Sequence, residues 1–141
     1  MLNNLLQIIQ IIVAAIAGVF VAWYWNKRAQ KLSEYRYLDE MYWKLLDEYQ
    51  KNPQFGDKRL TDDYSEGYRD NALAYHYFAM RAHTAMETIY DVYNGQIPEQ
   101  WVHIFDYHTV LHSKWLRENQ TANEPGYVAR VLDKPQTAGP L

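Results

Sequence analysis

Cysteine is absent from the chain, which excludes disulfides, thiolate metal ligands and thiol nucleophiles together. That absence fits a reducing compartment. Serine occurs only at positions 33, 65 and 113, never in a Gly-x-Ser-x-Gly elbow, so the hydrolase nucleophile pattern is missing. The 6 glycines are scattered and build no phosphate-cradling loop. There is no His-Glu-x-x-His stretch, and no pair of Glu-x-x-His stretches of the di-iron carboxylate kind. The adjacent carboxylates Asp62 and Asp63 fall in a loop or cap rather than an acid–base pair. Net charge is only −3, without a basic stripe outside the residues that follow the apolar run, so no field favours nucleic acid. These absences point away from an enzyme, and no cofactor is expected.

Charge is also missing from residues 5–25, which read LLQIIQIIVAAIAGVFVAWYW. As a helix this run would extend about 31 Å, the thickness of one hydrocarbon core. It ends in Trp23, Tyr24 and Trp25, followed by Lys27 and Arg28. Aromatic belt and basic cluster together mark a membrane–water interface. Two other readings compete. A secretory signal would want basic residues at its start, and residues 1–4 offer none. Cutting at the Ala15-Ile16-Ala17 site would leave VFVAWYW as an exposed end. A buried core helix rarely needs so long an uncharged run. The expected organisation is a transmembrane anchor at 1–26, a cytoplasmic helical bundle at 27–132 and a disordered tail at 133–141.

No Lys or Arg precedes the run, whereas Lys27, Arg28, Lys31 and Arg36 follow it. The positive-inside rule then places the N-terminus outside and the C-terminal domain in the cytoplasm. Within the run, Ala14, Gly18 and Ala22 are spaced by four, and Gln7 and Gln10 fall near the same line. Small residues let helix backbones approach, and amides hydrogen-bond across them, so this face suits another transmembrane helix, self or partner. Gly and Ala are also common in spans without any such role.

Between Val19 and Asn52 there is no Pro or Gly, so one helix can continue from the apolar run into the polar region. Tyr35, Leu38, Tyr42, Leu45 and Tyr49 form its apolar stripe. Asn52-Pro53 stops it, and residues 53–62 read as a polar loop. Asp63 and Glu66 have capping-box spacing for a second helix over 64–93, stopped by Asn94-Gly95. Its stripe is Tyr68, Ala72, Tyr75, Ala79, Ala82, Met86, Ile89 and Tyr93. Pro98 suits the start of a third helix over 98–119, and residues 127–132 suit a short turn packing back. The expected fold is all-α: an N-terminal transmembrane helix continuous with the first helix of a three-helix up-down bundle.

His108 and His112 share the apolar face of the third helix, and His83 flanks the second with Glu87. If the two helices face each other, His83, Glu87, His108 and His112 could ligate a metal. The plainer expectation is that His108 and His112 bond tyrosine hydroxyls or carbonyls and that His83 pairs with Glu87.

The stretch WYWNKRAQKLSEYRYLDEMYWKLLDEY, two further amphipathic helices and a closing W-x9-P-G-Y (Trp115, Pro125, Gly126, Tyr127) carry a resemblance. In this layout the chain resembles small uncharacterised bacterial single-pass membrane proteins of the domain-of-unknown-function kind. The resemblance implies a bacterial inner membrane setting and assigns no activity. The functional expectation is a membrane-anchored interaction module or accessory subunit, partnered by lipid and by another transmembrane helix. A metal- or haem-binding membrane protein using bundle histidines is the alternative.

Overall fold

The computed structural model describes residues 2–133, with side chains from residue 7 onward. Among the described residues there is no strand. Helix α1 spans Leu2–Lys51, 50 residues without interruption. Residues 134–141, most of the expected tail, lie outside the described residues.

The chain divides into two compact units, Met1–Tyr37 and Leu38–Leu141. The first is a helix with its apolar side chains exposed: Ile11, Val19 and Phe20 stand free of any neighbouring segment's cover. Its best 18-residue window has a mean hydropathy of 2.1 and is 0% buried. By length and composition this helix is long and apolar enough to cross a membrane.

The second unit begins with the C-terminal part of α1. That helix ends where Asn52, which precedes Pro53, leaves the helical region with φ −134° and ψ 65°. The next residues are not the expected loop. A 3₁₀ turn (Pro53–Gly56) leads into α2 (Lys58–Asp62), which Asp57 caps by accepting from the Arg59 N–H at 3.0 Å. The reason is Phe55, a single apolar residue that is almost wholly buried against Tyr68, Tyr75 and Phe78. Burying one phenyl ring contributes about 2 kcal/mol, enough to fold its flanks onto the core.

The three-helix up-down bundle is also corrected: seven α-helices occur among the described residues. The expected helix over 64–93 is divided into α3 (Tyr64–Gly67), a 3₁₀ turn (Arg69–Asn71) and α4 (Ala72–Val92). Asp63 makes no side-chain cap, so the capping box does not form. Helix α4 ends as its sequence suggests. Asn94 and Gly95 take positive φ, and the Gly95 N–H reaches back to the Tyr90 carbonyl at 2.8 Å.

The expected third helix is likewise two pieces, α5 (Glu99–Leu111) and α6 (Ser113–Glu118), broken at His112. Helix α7 (Pro125–Leu132) has Pro125 in its first turn, and Glu124 accepts from the Tyr127 N–H at 3.0 Å. The core gathers Leu38 and Leu45 of α1, Tyr75, Phe78, Ala79, Ala82, Met86 and Ile89 of α4, and Trp101, Phe105, Trp115 and Tyr127.

Candidate functional site

At the centre of the second unit three histidines are buried together: His83 on α4, His108 on α5, and His112 at the α5–α6 break. Their surroundings remove the charged form. Burial pushes His83 and His108 down to about 4, with nearby His83 a smaller cause at His108. Burial also holds His112 well below the usual histidine range, helped by His83, His108 and Lys58. All three are therefore neutral near pH 7.

A neutral imidazole carries one N–H and one lone pair, which fixes the hydrogen-bond directions. His83 Nε2 lies 3.0 Å from the His112 carbonyl, which can only accept, so Nε2 carries the proton. His83 Nδ1 then accepts from the Tyr127 hydroxyl at 2.7 Å. The His112 ring lies between two phenols: Tyr75 Oη is 3.0 Å from Nδ1, and Tyr49 Oη is 2.7 Å from Nε2. Tyr49 Oη is also 3.1 Å from His108 Nδ1. One assignment gives both phenol protons an acceptor within the network. The Tyr75 O–H donates to His112 Nδ1, His112 Nε2–H donates to Tyr49, and the Tyr49 O–H donates to His108 Nδ1.

The network meets the chain at the helix break. The His112 carbonyl accepts from the His83 ring as well as from the Leu116 N–H at 3.2 Å, so it holds two donors at once. Its partners come from four segments: Tyr49 on α1, Tyr75 and His83 on α4, His108 on α5, and Tyr127 on α7. Beside it, Trp115 Nε1–H donates to His76 Nδ1 at 3.0 Å. Burial raises Tyr49, Tyr75 and Tyr127 above the usual phenol range, so the hydroxyls stay protonated. Neutral imidazoles and neutral phenols bonded to one another tie α1, α4, α5 and α7 together through directional contacts.

The four residues singled out for a metal are thus only partly brought together. His83, His108 and His112 converge, but Glu87 turns away and accepts from Asn123 Nδ2 at 2.7 Å and from the Glu124 N–H. The expected His83–Glu87 pair does not form. Both ring nitrogens of His83 and of His112 already hold protein partners. Among the described residues, no group of three or more His, Asp or Glu is placed to hold a metal ion. His108 and His112 bond tyrosine hydroxyls as expected, through Tyr49 and Tyr75 of the buried stripes, whereas Tyr127 as the partner of His83 was not legible.

One face of the network reaches solvent. Tyr42, Tyr49, Tyr107 and His108 line a cleft of about 520 Å³ together with Gly56 and Asp57. Three tyrosine rings surround the His108 imidazole, at centroid distances of 5.9 Å for Tyr42, 5.4 Å for Tyr49 and 5.1 Å for Tyr107.

In the first unit, Gln7, Gln10, Ala14, Gly18 and Ala22 are all exposed, and nothing lies within 4 Å of a Cβ built on Gly18. Trp23, Tyr24 and Trp25 are exposed at the end of the apolar run. Lys27 Nζ lies 4.9 Å from the Trp23 ring centre, and Arg28 Cζ lies 5.9 Å from that of Trp25.

Comparison with protein-family models, with curated proteins and with solved structures gave no match for this chain.

Proposed function

We propose that this chain is a non-enzymatic membrane-anchored interaction module, acting as an accessory subunit of a membrane complex. The observation that carries the reading is the bare apolar surface of residues 7–25. Ile8, Ile12, Ile16 and Val19 are each more than half exposed, and nothing among the described residues covers them. An uncharged surface of that length is costly in water and stable in a bilayer. Trp23, Tyr24 and Trp25 with Lys27 and Arg28 would sit at the headgroup level. The charge asymmetry supports an orientation with the N-terminus outside and the helical domain in the cytoplasm, in a bacterial inner membrane.

Residues Gln7, Gln10, Ala14, Gly18 and Ala22 would provide the face for a second transmembrane helix, a copy of this chain or a partner subunit. The open space at Gly18 supports this: a bulky side chain there disturbs nothing within the chain. Gly18→Leu is expected to abolish a defined crosslinked species in membranes while leaving the amount and helicity of the protein unchanged. An identical crosslinking ladder in the variant would remove the packing-face assignment. Release of the wild-type chain from membranes by alkaline carbonate would remove the anchor itself.

A further inference from the structure

We infer that two copies of this chain pair along α1, parallel and in register, through a seam that continues past the apolar run. The inference rests on the membrane-anchored reading above and names the second helix as a copy of the same chain. Ala22, Trp25, Ala29, Leu32, Arg36 and Asp39 follow one another at spacings of 3, 4, 3, 4 and 3, the heptad pattern of a coiled-coil edge. They lie on one uninterrupted helix, and every one of them is exposed. The line begins four residues after Gly18, so it prolongs the face already assigned to helix packing. Leu32 carries it out of the apolar run. It stands in the polar stretch NKRAQKLSEYR and is 56% exposed. Lipid covers an exposed side chain inside a bilayer; outside it, a second helix on the same line would take Leu32 out of water.

The charges select a second copy as the occupant. Arg36 and Asp39 are one helical turn apart, yet neither joins the ion pairs among the described residues. In a parallel pair, a seam side chain inserts between the other helix's residues at the same and the adjacent seam positions. Arg36 of each copy then lies beside Asp39 of the other, twice over by two-fold symmetry. A patch complementary to itself is what an interface between identical copies requires. Sliding one helix by a heptad would set Arg36 beside Ala29 or Trp43, so the charges also fix the register. Copies inserted with one orientation are parallel, which brings equal residue numbers together. Large and small residues alternate along the seam, and Ala22 and Ala29 leave room for the indole of the other copy's Trp25. Lys27, Lys31 and Glu34 fall on the far side of the heptad, away from the contact.

The lack of native cysteine lets a single introduced thiol report on this seam. The full-length chain, purified and tagged, is placed in liposomes of phosphatidylethanolamine and phosphatidylglycerol at a low protein-to-lipid ratio and oxidised with copper phenanthroline. Ala29→Cys and Leu32→Cys are expected to give at least about fivefold more disulfide-linked dimer than Gln30→Cys and Glu34→Cys, which point off the seam. In the Leu32→Cys chain, Arg36→Asp or Asp39→Arg alone should lower the dimer about fivefold. The two together exchange the charges and should restore it to within about twofold. Equal yields at all four positions, or charge variants that dimerise unchanged, would overturn the inference. So would a chain that resists alkaline carbonate yet gives no dimer, and in that case the anchor would stand. Release by carbonate would instead remove the anchor, and the pairing with it.

Discussion

Trp25 and Trp115 show how differently the two units treat one kind of side chain. Trp25 is 59% exposed, and its ring has a neighbouring arginine for company. Trp115 is enclosed, stacked on His83, and its indole N–H is bonded to His76. The contrast extends to whole segments. Among the described residues of the first unit none is buried, whereas the second unit hides even polar groups, each histidine of its centre bonded to a phenol. A side chain's environment is thus set by what the rest of the chain offers it. The apolar run of the first unit leaves its side chains exposed, whereas the second unit covers its own.

Acid should break this contrast with the largest effect. His83 and His108 are held at about 4 when folded, against about 6.5 in the unfolded chain. Between those values the unfolded chain binds more protons, so stability falls as pH drops from 6.5 to 4 and is fully present above 6.5. The loss is on the order of 3 kcal/mol per histidine. Chemical denaturation of the second unit, followed by tryptophan fluorescence across this pH range, would measure it. A flat midpoint would mean that the imidazoles are not buried neutral.

A paired truncation sharpens the contrast at a smaller scale. Leu38→Ala removes a fully buried side chain and should cost about 3 kcal/mol in the same unfolding transition. Ile12→Ala, on the exposed run, should leave that transition unmoved. Equal shifts in the two variants would show that the units do not differ as described. Smaller still, Tyr127→Phe keeps the ring but leaves His83 Nδ1 without its donor, at a cost of about 2 kcal/mol. A loss below about 0.5 kcal/mol would mean that a water replaces the hydroxyl.

Much of the second unit was legible from periodicity. Leu38, Leu45, Tyr75, Ala79, Ala82, Met86 and Ile89 were read as stripe residues and are buried. The stops at Asn52-Pro53 and Asn94-Gly95 follow from backbone preferences that act locally. The breaks at Tyr68 and His112 do not. A single glycine such as Gly67 is tolerated inside a helical pattern, and nothing beside His112 disfavours a helix. At that break His83 reaches the His112 carbonyl from another helix, a contact that no local pattern announces. Phe55 was hidden for a similar reason: one apolar residue in a polar stretch has no period. The histidines themselves were visible, but not the choice of Tyr127 over Glu87 for His83, which joins residues 44 positions apart.

Tyr49 belongs to α1, the helix that contains the apolar run, yet its hydroxyl closes the centre of the second unit by bonding a ring 63 positions away. Excising α1 as a mere tether would therefore strip His112 and His108 of the phenol between them. A water-soluble version has to be cut no later than Leu38, keeping the last turns of that helix as part of the fold.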